Sequence, residues 1–137
     1  NQHAVQQKNP VYGTARVSVY LLDLLSLGLP DQDLNWNIEK MLAKARAYLL
    51  AQQNTDGSWG AAAGVRGSTE ETALALAALA RYDMAACYKG LEWIEGEYRN
   101  NGMHSEPIGL YFALLWYDEK LYPLIYTIEA LRRLLYR

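Results

Sequence analysis

Two segments of this chain, 44–59 and 89–104, share one layout at a fixed offset, and that repeat constrains the fold more than any other feature. Lys44 and Lys89, Tyr48 and Trp93, and Gly57 and Gly102 are each 45 residues apart. A period in this range marks stacked helix–turn–helix units, none of which can bury its apolar face alone. The first copy reads KARAYLLAQQNTDGSW. The second, KGLEWIEGEYRNNGMH, is degenerate, with Tyr98 for Gln53 and His104 for Trp59.

Around the repeat, every long segment reads at helical period. The stretch 12–28 puts Ala15, Val19, Leu22 and Leu25 on one stripe and stops at Gly28-Leu29-Pro30. A second helix is expected over 35–53, capped by Asn35 or Asn37. A third, alanine-rich, covers 68–82 and opens on a capping box from Ser68 or Thr69 to Glu71 or Thr72. Helices over 84–100, 107–120 and 122–137 follow, with Pro107 and Pro123 at first-turn positions. The expected fold is all-α: about six helices in antiparallel pairs, outer and inner alternating, as in half of an (α/α)6 barrel. Residues 1–137 read as one unit, with 1–10, including His3, as a poorly ordered leading segment.

The spacing Gln-x-x-x-Gly-x-Trp at a helix end has a physical reason. The last carbonyls of one helix and the first amides of the next lack partners. The Gln53 amide both donates and accepts, so it can bridge such groups. Gly57 permits the positive φ of a turn after Asp56. Trp59 can fold back to cover the amide and set its N–H on a backbone carbonyl. Lys44, Tyr48, Gln53, Gly57 and Trp59 are therefore expected to form a structural clasp between helices.

Composition excludes several function classes. The formal charge is −2, from 13 basic and 15 acidic residues, with no basic cluster for nucleic acid. A lone cysteine, Cys87, excludes an internal disulfide framework and fits a reducing compartment. The chain opens without methionine, so Asn1 reads as a processing site or a cut edge. No signal peptide or bilayer-spanning apolar run is evident, and a cytoplasmic location, with peripheral membrane contact at most, is expected. Eleven tyrosines and four tryptophans against one phenylalanine ask for rings with polar tips.

KARAYLLAQQNTDGSW is similar to the QW motif of squalene-hopene cyclases and related class II terpene cyclases. NPVYGTARV (9–17) resembles their Tyr-Gly-Thr segment, STEETALALAAL (68–79) an inner helix, and LYPLIYTIEALRR (121–133) their C-terminal Tyr/Phe-Pro-Leu stretch. Together these cover nearly the whole chain in the family's order, resembling most the bacterial diterpene cyclases of the copalyl diphosphate synthase type. The resemblance implies the C-terminal half of the catalytic barrel domain. Such enzymes protonate a linear isoprenoid with an aspartic acid of a DxDD motif and steer the carbocation inside an aromatic-lined cavity. Magnesium is implied if the substrate is a diphosphate, and the rest of the barrel would come from the same natural chain, a second polypeptide or a homodimer.

This sequence has no DxDD. Asp31 and Asp33 give Asp-x-Asp in a turn, where solvated capping explains them. Glu70 and Glu71 sit in a first helical turn, where the dipole favours acids. The catalytic acid is thus expected outside this chain, upstream of residue 1, and no catalytic residue is expected here. What this portion would supply is cavity wall: Tyr111, Phe112, Trp116 and Tyr117, with Tyr12 at the cavity end of its helix. In a helix, 112 and 116 share a face, while 111 lies about a hundred degrees from 112. Each ring face stabilises a carbocation by about 0.5–1 kcal/mol exposed and about 2 when desolvated. Core filling explains the same rings equally well, and Tyr122 and Tyr126 read as packing first and lining second.

Other readings compete. Protein prenyltransferase β subunits share the toroid and bind zinc through Asp, Cys and His; here Cys87 follows Asp83 by four residues, but both histidines are distant in sequence. MAACYKG reads instead as a small-residue helix contact, and His104 as a turn residue. The missing acid also fits a non-catalytic half-toroid that binds lipid or protein through an apolar edge. A third reading lays YFALLWYDEKLYPLIY on a membrane surface, although Asp118, Glu119 and Lys120 interrupt it.

Overall fold

The computed structural model describes residues 9–110 and 115–136, with the backbone alone across 108–110 and 115–117. Residues 1–8, most of the segment expected to be poorly ordered, lie outside the described part. The segment's last two residues do not share that expectation. Asn9 is buried and caps the first helix, and Pro10 opens it.

Five helices run in chain order: α1 Pro10–Ser26, α2 Gln32–Gln52, α3 Thr69–Leu79, α4 Met84–Asn101 and α5 Tyr122–Leu135. Between α4 and α5, Ile108–Leu110 (β1) and Leu115–Tyr117 (β2) pair antiparallel, with Gly109 opposite Trp116. The fold is helical, as expected, with one correction. The helix expected over 107–120 is replaced by this short ladder. Gly109 weakens a helix there, while Ile108, Trp116 and Tyr117 favour extended chain. A short apolar run carries no period that separates helix from strand. Trp116 and Tyr117 therefore sit on a strand, and Tyr111 and Phe112 lie outside the described residues.

Asp31, not Asn35 or Asn37, caps α2, its carboxylate accepting from Leu34 N at 2.9 Å. A side-chain acceptor right after Pro30 starts the helix one turn early, and Asn35 instead donates to Leu29 O at 2.8 Å. Asp83 caps α4 in the same way.

All eleven residues of α3 are buried, which makes it the axis of the molecule. A helix apolar on every side can only sit inside a bundle. Its alanines let α1, α4 and α5 approach closely, and the core gathers Val11, Ala15 and Val19 of α1 with Tyr126, Ala130 and Leu134 of α5 around it. Asn9 meets Glu71 at one end, and Asp23 meets Arg133 at the other. Helices α1, α3 and α5 therefore run parallel, with their N-termini together.

Candidate functional site

Of the five residues expected in the clasp, Gln53, Gly57 and Trp59 form it. Trp59 is fully buried and its Nε1 donates to Leu49 O at 2.7 Å, one of the carbonyls freed where α2 ends. The Trp59 backbone ties this corner to α3, since its N–H donates to Thr72 Oγ1 at 3.0 Å and its carbonyl accepts from Ser68 N at 3.0 Å. Gln53 Nε2 donates to Gly57 O at 2.9 Å and to Ala86 O at 3.0 Å, the latter in the first turn of α4. One amide thus fastens the end of α2 to the start of α4.

Gly57 is required twice over. Its φ is +94°, and an added Cβ would stand 2.5 Å from Lys89 O. On the other side of the corner, a Cβ on Gly90 would meet the Trp59 ring at 3.0 Å. The first copy of the repeat therefore docks on the opening turns of the second. Asp56 accepts from Ser58 N at 3.0 Å and Ser58 Oγ at 2.7 Å, which holds its carboxyl below the ordinary value. Lys44 stands outside the clasp. With Gly13, Val17, Met41 and Tyr48 it lines a shallow groove of about 420 Å³ between α1 and α2. Burial pushes the Tyr48 phenol up.

A second constellation occupies the end where the three parallel helices begin. Tyr12 and Tyr126 are hydrogen-bonded, and burial together with that bond raises the Tyr126 phenol far above its usual value. Tyr122 stacks on Tyr126 with ring centroids 5.1 Å apart. The Arg16 guanidinium lies 5.5 Å from the Tyr126 ring centroid. Three tyrosines from two helices thus converge, with polar tips held and ring faces packed.

Beside them, two carboxyl groups are taken out of water. Glu70 is 0% and Glu71 4% exposed. Glu71 Oε1 accepts from Asn9 Nδ2 at 2.8 Å, while Asn9 Oδ1 accepts from Tyr12 N at 3.0 Å, so one asparagine joins the starts of α1 and α3. Glu70 Oε1 accepts from Glu106 N at 2.7 Å, two residues before β1, and Glu70 Oε2 is buried without a hydrogen-bond partner among the described residues. Desolvation raises both groups, Glu71 to about 7. The expected capping box is half made: Ser68 Oγ accepts from Glu71 N at 3.2 Å, but Ser68 N goes to Trp59 O, which frees the Glu71 carboxyl for Asn9. Sequence reasoning assigned Glu70 and Glu71 to an ordinary first turn. The signal that they are buried was the lack of any polar face on the helix that follows.

At the opposite end, Arg133 holds Asp23 through two bonds of 2.9 and 2.8 Å, and between the two ends Arg16 lies 3.7 Å from Glu129. These pairs bridge α1 to α5 across α3. Among the described residues no group of three His, Cys, Asp or Glu is placed to hold a metal ion, and no helix is long and apolar enough to cross a membrane. His104 is half exposed, 3.7 Å from Glu106. No protein-family model, curated protein or solved structure matches this chain.

Proposed function

We propose that this chain is part of a class II terpene cyclase, supplying barrel scaffold and aromatic cavity wall for a linear isoprenoid whose DxDD acid lies outside it. The observation that carries this reading is the corner at Trp59. Its indole is buried on Leu49 O, and Gln53 spans to Ala86 O, the geometry that the resemblance to the QW motif implies. The convergence of Tyr12, Tyr122 and Tyr126 at one end supports an aromatic wall there. Trp116 and Tyr117, with Tyr111 and Phe112, would add to it from the ladder segment.

Chemically, the tyrosine ring faces would stabilise a migrating positive charge, and the exclusion of water would delay its quenching. Magnesium would accompany a diphosphate substrate. Completing a ring requires the rest of the barrel, from the same natural chain, a second polypeptide or a second copy. It also requires the Asp23–Arg133 and Arg16–Glu129 bridges to part, because they close α1 and α5 over α3. A cytoplasmic location with peripheral membrane contact fits a greasy substrate. The test is reconstitution. This chain, mixed with a DxDD-bearing barrel half, should cyclise geranylgeranyl diphosphate, and a folded complex that neither binds nor converts any polyprenyl substrate would remove the reading.

One observation favours a second reading, a non-catalytic half-toroid that binds lipid or protein. On α5, Leu124, Ile128, Leu131 and Leu135 are exposed at spacings of four, three and four residues. That is the spacing of a seam that another helix covers. Isoprenoid binding without turnover in the full natural gene product would select it.

A further inference from the structure

Burying a carboxylate costs several kcal/mol unless it is paired or neutralised. Glu70 and Glu71 are both buried at the start of α3, and among the described residues no cation is hydrogen-bonded to either. Among the described residues, the charged groups that act on the pair are the two carboxyls themselves and Glu106, which leads into β1. Their other partners are neutral: the Asn9 amide from the cap of α1, the Ser68 hydroxyl, and backbone amides. Beyond Glu106 stands His104, half exposed at 3.7 Å. Among the described residues, Arg16 of α1 is engaged with Glu129 of α5, and Arg133 is held by Asp23 at the far end. Three carboxyls thus share one corner, and a buried oxygen of Glu70 lacks a hydrogen-bond partner.

Two long-range contacts depend on this corner. Asn9 Nδ2 on Glu71 holds the start of α1, and Glu106 N on Glu70 holds the root of the β1–β2 ladder across 36 residues of sequence. We propose that Glu70, Glu71 and Glu106 form a proton-operated latch. With a proton held by the Glu70–Glu71 pair, the start of α1 and the ladder root stay on α3; with both carboxyls ionised, repulsion and hydration release them.

The sign follows from linkage. The closed state binds the proton more tightly than the open one, so closure is fully favoured at low pH and weakens as pH rises. For Glu71 the window runs from its ordinary 4.5 to about 7, and above that no further loss accrues. One proton released on opening changes the opening constant by about tenfold per pH unit.

Backbone hydrogen exchange on this chain tests the latch without any substrate, so its outcome is independent of the cyclase reading. Corrected for intrinsic exchange, the opening constants of Glu106, the β1–β2 amides and the first turn of α1 should rise by about tenfold per unit between pH 5 and 7, then level. Amides in the middle of α4 should not follow. In Glu70→Gln and Glu71→Gln the rise should flatten, with opening held near the wild-type low-pH value. A pH-independent opening in the wild type, or an unchanged rise in both variants, overturns the latch. Should the variants not fold, carboxyl ¹³C titration of the wild type decides: ordinary Glu titration at both positions overturns it, and elevated, mutually dependent titration supports it.

Discussion

The two copies of the repeat begin alike and end differently. Both carry a glycine of positive φ at the matching position: Gly57, at +94°, lies in the turn beyond the Gln53 cap of α2, and Gly102, at +74°, is itself the cap of α4. In the first copy a buried indole and a bridging amide then lock the corner to three helices. In the second, Tyr98 is exposed where Gln53 bridges, and His104 is half exposed where Trp59 is buried. The glycine is shared because both positions take a positive φ. The clasp is not shared, because it needs a donor aimed at a particular orphan carbonyl and a neighbour small enough to admit it. Gly90 supplies that space beneath Trp59.

The sharpest way to break this contrast is Trp59→Ala, which should destabilise the chain by about 3–5 kcal/mol in denaturant unfolding, since it empties the core and orphans Leu49 O. The same measurement on His104→Ala should stay within about 0.5 kcal/mol. Next comes Gly57→Ala. Positive φ alone costs about 1–3 kcal/mol, and the clash with Lys89 O adds to it. Gly102→Ala meets nothing within 4 Å, so its cost should be the φ strain alone, about 1–3 kcal/mol, with no clash added. A Gly102 variant as damaging as the Gly57 variant would show the copies to be equivalent after all.

Gln53→Ala should cost about 1–3 kcal/mol by leaving Gly57 O and Ala86 O without their donor, whereas Tyr98→Ala should be nearly silent. The smallest effect is titration of Asp56, whose counterpart 45 residues on is Asn101. Its carboxyl is held below 3.8 by the Ser58 hydrogen bonds. Its contribution is therefore present above that value and lost as pH falls through the folded-state value. Amide exchange in the first turn should accelerate there relative to Asp56→Asn, while the second turn gives no such step.

Much of the fold was legible beforehand. Five helices, the Pro123 start and the Gln53, Gly57 and Trp59 of the clasp followed from period, punctuation and orphaned backbone groups. Each of these signals acts over a few residues. The ladder at 108–117 was missed because an apolar aromatic run supports helix or strand alike, and pairing decides between them. The candidate site was half legible. Tyr12 was expected at the cavity end of its helix, yet the rings gathered there with it, Tyr122 and Tyr126, read mainly as packing. Asn9 was assigned to a frayed end, and it is a buried cap joining two helices.

By itself the sequence determined that this chain is helical, where its first corner turns, and which amide and indole lock that corner, because such choices depend on neighbours along the backbone. Only the tertiary structure decided that α3 is enclosed on every side, that α1 and α5 are bridged across it, and that Glu70 and Glu71 leave water. A carboxyl at a helix start looks the same in sequence whether it faces solvent or a core. What separates the two is the desolvation imposed by burial inside the helix bundle, which the chain assembles from distant segments.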